Sequence, residues 1–587
     1  MSRSALLIGC SALLLTSAAP PPPAPVHAAG LAQDRRSPVR CVREEAREMR
    51  NRPMPLYAPA PPPPPVMPTP MPEPMIAPTA PPPPAQVVVT GSAQRSTGIN
   101  TVQDAIQTLP AYGAPGNTEK YDGKPVASIL SVAQSPVSTF SVDVDTGAYA
   151  NVRRFLNEGQ AVPPDAVRTE EMINYFRYDY PRPQSKEVPF SVTTDVAQTP
   201  WNPDTRLLRI GLRGYDVDAG GRPPANLVFL VDVSGSMEDE DKLPLVKQAL
   251  TLLAERLTPR DRVSIVVYAG AAGVVLEPTY NKRYVRQALD CLQAGGSTAG
   301  GEGIELAYKM ARASFLKGGI NRIFLATDGD FNVGISDART LEELIKKNRD
   351  DGITLTTLGF GEGNYNDEMM ERVADVGNGN YAYIDGPAEA RKVLDDELSA
   401  TLFTIAKDVK VQVEFNPAQV KQYRLIGYEN RALAEEDFAN DHVDAGDIGA
   451  GHQVTALYEV VPASGKGWTP DRRYEGNQPP VAAGSGSEMA FVKLRYKLPG
   501  NETSKLIERP VPASLMANAP LPRGDMAFVT SVAAFGQHLR GDKYLNGYSY
   551  GQIANLVGRS NDYWRAEFAR LVRMADAGHP KATGSSD

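Results

Sequence analysis

The sequence predicts a doubly wound, mostly parallel α/β domain, inserted in or flanked by an antiparallel β domain, with a helical segment at the C-terminal end. Between residues 225 and 405, strands that are apolar at nearly every position alternate with amphipathic helices. This pattern is typical of a parallel sheet covered on both faces. On either side of it, segments with alternating apolar and polar residues indicate half-buried antiparallel strands. Beyond residue 524, apolar residues recur at helical spacing.

Residues 1–28 have the features of a signal peptide. Arg3 provides a positive charge, an apolar run follows at 5–19, and "VHA" ends at Ala28 with small residues suited to cleavage. Cys10, in "LIGC", resembles a bacterial lipoprotein box, so a lipid anchor on this cysteine is the alternative. We therefore expect an exported protein of the periplasm or cell envelope.

After removal of the signal peptide, Cys41 and Cys291 would be the remaining cysteines. One lies in the predicted linker and the other in a predicted helix. Two cysteines in these settings do not indicate a disulfide framework, although an oxidising compartment would permit a disulfide bond.

Residues 29–117 are predicted to form a disordered, proline-rich linker. More than half of residues 53–84 are proline, a composition that excludes a helix or a central strand and favours polyproline II. The stretch "QVVVTGS" at 86–92 resembles a short segment near the N-terminus of TonB-dependent receptors. A β-prone linker is the other interpretation, and the role of this stretch stays open.

The N-terminal flanking region is expected at 118–224 and a β-rich region at 406–523, with a helical region and tail at 524–587. Two alternating strands are predicted at 188–214, which are too few for a stable sheet by themselves. Pairing with further strands within 408–498 would bury the apolar faces of both sets. The α/β domain would then be an insertion within one β domain.

Within the α/β domain, the ligand site is expected at the carboxyl ends of the parallel strands. The predicted strands are 227–232, 262–268, 273–277, 321–327, 353–360 and 381–384, and the predicted helices are 243–257, 283–293, 302–316, 340–350, 367–376 and 387–404.

Polar side chains cluster at these strand ends. Asp232, Ser234 and Ser236 follow the first strand, Thr298 lies in the loop before the helix at 302, and Asp328 ends the strand at 321–327. All five offer hard oxygen donors, which favour Mg²⁺, Mn²⁺ or Ca²⁺ over zinc or copper.

These three pieces, in this order, resemble the metal-ion-dependent adhesion site (MIDAS) of the von Willebrand factor type A (VWA) domain. The resemblance covers 225–405. It implies that the two serines and the threonine are direct ligands, whereas the two aspartates act mainly through water. It also implies an open coordination position that takes an Asp or Glu carboxylate of a protein partner.

The wider arrangement resembles an exported bacterial group of VWA proteins, the YfbK-like group. The stretches that carry this resemblance are "FSVDVDTGAYANVRRFLNEG" at 140–159 and "VEFNPAQVKQYRLIGYENR" at 413–431. They extend the match to about 120–580, outside the proline-rich segment.

The formal net charge of −8 argues against a nucleic-acid ligand, because such binding requires the neutralisation of phosphates. We predict a metal-dependent protein-binding, adhesion or envelope-assembly protein and no enzymatic activity. A metal-assisted hydrolase or another enzyme of the cell envelope is the alternative. Metal-assisted hydrolysis would need a general base near the cation, and the motif offers no obvious one. The oligomeric state and the identity of the partner are left open.

A nucleophile elbow is suggested by Gly547-Tyr-Ser549-Tyr-Gly551, with Asp576 and His579 following in the order seen in α/β-hydrolases. No strand is predicted before it, as the elbow requires, so Ser549 is better interpreted as a turn or helix-cap residue.

A second metal site is conceivable where His442 and His452 lie close in sequence to three aspartates, Asp441, Asp444 and Asp447. The spacing matches no short metal-ligand motif, so surface loop chemistry is the favoured interpretation.

Overall fold

The computed structural model describes residues 39–40, 118–142, 144–217, 221–298, 300–329, 338–470 and 485–578. The predicted signal peptide with Cys10, the proline-rich segment at 53–84 and the "QVVVTGS" stretch lie outside these residues. The described residues belong to one compact unit. Within the described residues, the helices are too short or too polar to cross a membrane.

The strands are β1 (Leu130–Ser131), β2 (Val137–Ser141), β3 (Phe190–Gln198), β4 (Arg206–Gly214), β5 (Ala225–Asp232), β6 (Arg262–Tyr268), β7 (Ala272–Thr279), β8 (Ile320–Thr327), β9 (Thr354–Phe360), β10 (Tyr381–Ile384), β11 (Thr404–Phe415), β12 (Val420–Ile426), β13 (Ala432–Leu433), β14 (Ile448–Gly449), β15 (Gln453–Pro462), β16 (Glu488–Lys497) and β17 (Ser504–Pro512).

The α-helices are α1 (Gly147–Asn157), α2 (Thr169–Asn174), α3 (Leu243–Arg256), α4 (Lys282–Cys291), α5 (Gly300–Ala313), α6 (Ala338–Asp350), α7 (Asp367–Val376), α8 (Pro387–Arg391), α9 (Leu398–Leu402), α10 (Ala513–Ala517), α11 (Gly524–Leu539), α12 (Tyr550–Val557) and α13 (Tyr563–Gly578).

The α/β domain has a six-stranded sheet in the order β10-β9-β8-β5-β6-β7. All neighbouring strands are parallel except β6 and β7, which are antiparallel. The central strand β5 is buried at every position. Successive side chains of β5 point to opposite faces of the sheet. Leu227 and Phe229 belong to the core on one face, and Val228 and Leu230 belong to the core on the other. The predicted doubly wound sheet is therefore confirmed.

The segment predicted as a helix at 387–404 is helical as far as Leu402, but it is not one continuous α-helix. The chain forms α8, then a π-helix at Lys392–Asp396, then α9, and β11 already begins at Thr404. Thr404 pairs with Gly449 of β14. This contact between distant segments ends the helix at a point that helical spacing alone does not indicate.

Two antiparallel sheets pack on each other as a β-sandwich with one shared core. One sheet has the order β1-β12-β15-β4-β3, and the other β13-β2-β11-β16-β17, with β14 paired to β11. In the first sheet, β4 pairs with β15. Since β4 precedes the α/β domain in the chain and β15 follows it, the predicted insertion is confirmed.

The strand β4 separates two cores. Its residues Leu208, Ile210 and Leu212 face the interior of the sandwich, whereas Leu207 faces the helices on the outer side of the sheet. Helices α1, α2, α11, α12 and α13 supply that outer core. Its centre is aromatic, with Phe176 in edge-to-face contact with Phe528 and Phe568 at ring-centroid distances of 4.9 and 5.7 Å.

Residues 39 and 40 fall in the segment predicted to be a linker, but they attach to the edge of the α/β sheet. Val39 is 5% exposed and forms an antiparallel bridge with Leu276 of β7. The Arg40 amide donates to the Val275 carbonyl at 2.8 Å. Close to this edge, Cys291 at the end of α4 is disulfide-bonded. The number and setting of the cysteines in the sequence did not indicate this bond.

A buried ionic cluster joins the sandwich to the C-terminal helices. Arg424 of β12 donates to the Glu459 carboxylate of β15 at 2.9 and 3.0 Å and to the Asp542 carboxylate at 2.7 Å. The three side chains are at most 1% exposed. Because a charge this deeply buried is costly without its partner, the cluster fixes these elements against one another.

Replacing Arg424 with methionine keeps much of the side-chain volume but leaves two buried carboxylates unpaired. We expect Arg424→Met to lower the free energy of unfolding by about 3–5 kcal/mol in denaturant titrations. Adding Glu459→Gln should recover part of the loss. As a control, Arg286→Ala, which removes an exposed ion pair with Glu255, should leave the midpoint unchanged. An equally stable Arg424→Met protein would contradict this role.

His452, directly before β15, is expected to make the free energy of unfolding depend on pH. Its Nδ1 is buried and has no hydrogen-bond partner among the described residues. Burial lowers the pKa of His452 to about 4. The charge of Glu397 opposes this shift, whereas the positive charges of Arg177, Lys392 and Arg322 add to it. The folded protein therefore keeps this imidazole neutral over a pH range in which the unfolded chain protonates it.

The pH dependence of unfolding should show this linkage. The contribution of His452 is complete above about pH 6.5 and is lost as the pH falls towards 4, because the unfolded state then binds the extra proton. Between these values, wild type should lose about 1–3 kcal/mol more stability than His452→Gln. His442→Gln, in an exposed loop, serves as the control and should follow wild type. Parallel profiles for wild type and His452→Gln would refute the linkage.

Candidate functional site

The candidate site lies where β5 ends, and backbone hydrogen bonds fix the turn that follows. The Val233 amide donates to the Tyr268 carbonyl of the neighbouring strand β6 at 3.0 Å. Ser234 then begins a 3₁₀-helix at Gly235–Glu238. Since Ser234 is buried and Ser236 is exposed, the turn leads from the sheet interior to the protein surface.

Asp232 is fully buried below this turn. One carboxylate oxygen accepts the Ser234 amide at 2.9 Å, and the other accepts the Thr327 hydroxyl, at the end of β8, at 3.0 Å. Burial raises the pKa of Asp232, and the charge of Asp328 adds to this effect, whereas the bonds from Ser234 and Thr327 oppose it. Burial also raises the pKa of the adjacent Tyr268 hydroxyl well above its ordinary value. The serine turn and β8 thus hold the Asp232 carboxylate in one orientation.

The hydroxyl groups of the turn lie above this carboxylate. The Oγ atoms of Ser234 and Ser236 are 3.1 Å apart. The Gly235 amide donates to the Gly296 carbonyl at 3.0 Å, and the Gly295 amide donates to the Val233 carbonyl at 2.8 Å. These bonds attach the loop that carries the half-buried Thr298 to the serine turn.

Asp328 is fully buried at the end of β8. Its Oδ2 accepts hydrogen bonds from Lys242 Nζ and Asn364 Nδ2, each at 3.2 Å. Gly329 follows with a φ of +87°, and a Cβ at this position would lie 2.5 Å from the Asn366 amide nitrogen. The backbone therefore makes a tight turn at Gly329, immediately after Asp328.

The structure thus joins Asp232, Ser234 and Ser236 directly, and it holds the Thr298 loop and Asp328 beside them. Sequence reasoning missed Thr327, Lys242 and Asn364. Thr327 was detectable, because a hydroxyl residue directly before the strand-end aspartate in "TDG" points to the same edge. Lys242 was hidden in the charged run "EDEDK", and Asn364 comes from a distant loop.

This donor set fits a divalent cation. Two fully buried carboxylates lie close enough for the charge of one to raise the pKa of the other, and Lys242 provides a single positive charge beside them. Among the described residues, no group of three or more His, Cys, Asp or Glu side chains could hold a metal. A cation here would consequently depend on the hydroxyl groups, as a hard-oxygen site permits.

The nucleophile-elbow reading of Ser549 is wrong for the described residues, and the helix-cap interpretation is confirmed. Ser549 is the N-cap of α12 and forms a capping box with Gln552. A 3₁₀-helix at Lys543–Leu545 precedes it where the elbow would require a strand. Asp576 lies in α13, and His579 is outside the described residues.

The acidic loop near His442 is held by ion pairs. Asp444 pairs with Arg349 at 2.5 Å, and Asp441 pairs with Arg495 at 3.0 Å. Burial raises the pKa of Asp447 to about 7. These contacts agree with loop chemistry and do not assemble the two histidines with the aspartates.

Family comparisons agree with this geometry. The model described as von Willebrand factor type A domain matches residues 226–396, and the model described as von Willebrand factor matches 115–209. The model described as "Uncharacterized protein YfbK, C-terminal" matches 400–577. The protein therefore contains a VWA domain, a class of domain that often mediates protein interactions or adhesion.

The similarity to YfbK of Escherichia coli (strain K12) extends over most of both chains. The two are 47% identical over 470 residues, which is 78% of this chain and 80% of YfbK. This chain belongs to the YfbK family. It is also 36% identical to sll0103 of Synechocystis over 187 residues, which is 32% of this chain and 43% of that protein.

Solved structures with related folds are more distant in sequence. A von Willebrand factor type A protein from Catenulispora acidiphila is 16% identical, with a TM-score of 0.37, and the match covers 67% of this chain and 91% of that one. BatB from Bacteroides thetaiotaomicron is 23% identical, with a TM-score of 0.27, over 30% of this chain and 97% of that one.

Proposed function

We propose that this protein binds a protein partner of the cell envelope through a divalent cation at the end of β5. Ser234, Ser236 and Thr298 would bind Mg²⁺, or Mn²⁺ or Ca²⁺, directly, with Asp232 and Asp328 behind them. The observation that carries this proposal is the pair of serine hydroxyls, 3.1 Å apart, above a fully buried aspartate.

The chemistry of these donors favours a binding role. Neutral hydroxyl groups reduce the charge of a cation less than carboxylates do, so the bound ion retains affinity for an anionic oxygen from outside. Ser236 is exposed, and the site therefore opens to the protein surface. An Asp or Glu carboxylate of a partner is the ligand that this arrangement suits best.

The first test is cation binding by the full chain. Calorimetric titration with Mg²⁺ and Mn²⁺ should show binding that Ser234→Ala with Thr298→Ala weakens at least about 100-fold, because two direct ligands are lost. Ser549→Ala removes a serine hydroxyl elsewhere and should bind as wild type does. Unchanged affinity in the double variant would reject the site.

Partner binding should depend on the same residues. Immobilised wild-type protein should retain specific proteins from an envelope extract with Mg²⁺ present and release them with EDTA. The double variant should retain none of these proteins under either condition. Retention that is insensitive to both EDTA and the double substitution would show that the partner binds elsewhere.

Export is proposed together with this function. The mature protein is expected to begin near Ala29, or to carry a lipid on Cys10, and the two forms differ in mass and in detergent partitioning. Intact-mass measurement of protein from fractionated cells distinguishes them, and Cys10→Ser would remove the second form alone. A mature protein that keeps Met1 and stays in the cytoplasm would contradict both forms.

A further inference from the structure

Lys242 places a positive charge inside the candidate metal site. Its side chain is 6% exposed, and its Nζ lies 3.2 Å from Asp328 Oδ2. A second contact joins the Nζ to Asn364 Oδ1 at 3.4 Å. Burying an ammonium group costs free energy unless the group is paired. The two contacts offset this cost and fix the position of the Lys242 side chain.

The backbone of the opposite loop is shaped around Lys242. Gly361 has a φ of +71°, and a Cβ at this position would lie 2.4 Å from both Cγ and Cε of Lys242. Any larger residue at 361 would therefore displace the lysine stem. The same loop provides Asn364, whose amide nitrogen donates to the same oxygen of Asp328 at 3.2 Å.

Lys242 lies between the serine turn and the helix that follows it. It lies directly before α3, and its amide donates to the Asp239 carbonyl at 3.0 Å. The sequence "DVSGSMEDEDK" thus runs from the two serines to the lysine within one turn and one short helix. The loop at 361–364 closes the other side of Asp328.

The ammonium group of Lys242 and a divalent cation would both interact with the carboxylate of Asp328. Without the cation, Lys242 supplies the positive charge that this buried carboxylate needs. With the cation bound, Asp328 is shared between two positive centres, which repel each other in surroundings of low dielectric constant. This repulsion lowers the affinity of the site for the cation.

We propose that Lys242 is a positioning residue of the site, which holds Asp328 in place and limits the affinity for the divalent cation. This inference rests on the proposed function. When the cation is absent, Lys242 keeps the site ordered through its contact with Asp328. When the cation binds, the charge of Lys242 makes the affinity lower than the five predicted donor residues would give without it.

The test compares Lys242→Met and Lys242→Arg with wild type in the full chain. Methionine retains an unbranched stem beside Gly361 but removes the charge, whereas arginine retains the charge. Lys242→Met should bind Mg²⁺ about tenfold more tightly than wild type in calorimetric titration, and Lys242→Arg should stay close to wild type. Lys247→Met, the same substitution further along α3, should have no effect on Mg²⁺ affinity.

A second readout separates this role from simple packing. Lys242→Met should melt at a lower temperature than wild type in EDTA, because Asp328 then lacks its ammonium partner. Saturating Mg²⁺ should close this gap, since tighter binding stabilises the folded variant more than it stabilises wild type. A residue with only a packing role would leave the gap open and would not raise the affinity.

The outcomes also distinguish this inference from the proposed function. If wild type binds Mg²⁺ and Lys242→Met binds equally or more weakly, the role of Lys242 is wrong and the metal site stands. If only Lys242→Met binds measurably, the inference holds in its strongest form. If neither protein binds Mg²⁺ or Mn²⁺, both proposals are overturned.

Discussion

The pairing of β4 with β15 is the constraint on which the rest of the molecule depends. The two strands lie on opposite sides of the VWA domain in the chain, and Leu208 of β4 is opposite Tyr458 of β15. One face of this pair contributes to the sandwich core and the other to the core beneath the C-terminal helices. Neither core can close until both flanks of the VWA domain have met, so the inserted domain is held through two chain connections.

Buried ion pairs then fix the VWA domain against its flanking helices. Arg168, before α2, contacts the Asp367 carboxylate at the start of α7. Arg153 of α1 contacts Asp385 and donates to the Glu389 carboxylate at 2.7 Å. Such pairs are sensitive to geometry, because a small displacement leaves a buried charge without its partner. The interface therefore favours one arrangement of these elements.

The loop at 361–366 connects the candidate site with the N-terminal flanking region. Asn364 holds Asp328, while the Gly363 amide next to it donates to the Glu119 carboxylate at 3.0 Å. The Lys120 amide donates to the Tyr365 carbonyl at 2.9 Å. Glu119 and Lys120, just after the predicted linker at 29–117, are thus attached to the loop that holds Asp328. Any movement of Asp328 that carries this loop along would disturb those bonds.

By itself, the sequence determined the order of the VWA elements and indicated the five candidate donor residues, because apolar strands and a hydroxyl-rich turn are local patterns. Only the tertiary structure decided that Lys242 and Asn364 contact Asp328, that Val39 joins the edge of the sheet, that Cys291 is disulfide-bonded and that the helix after 387 ends where β11 begins. The contacts of Asp328 and of Val39 join segments that lie far apart in the chain. Local periodicity in the sequence does not predict such contacts, because they depend on which surfaces meet after the sheets have formed.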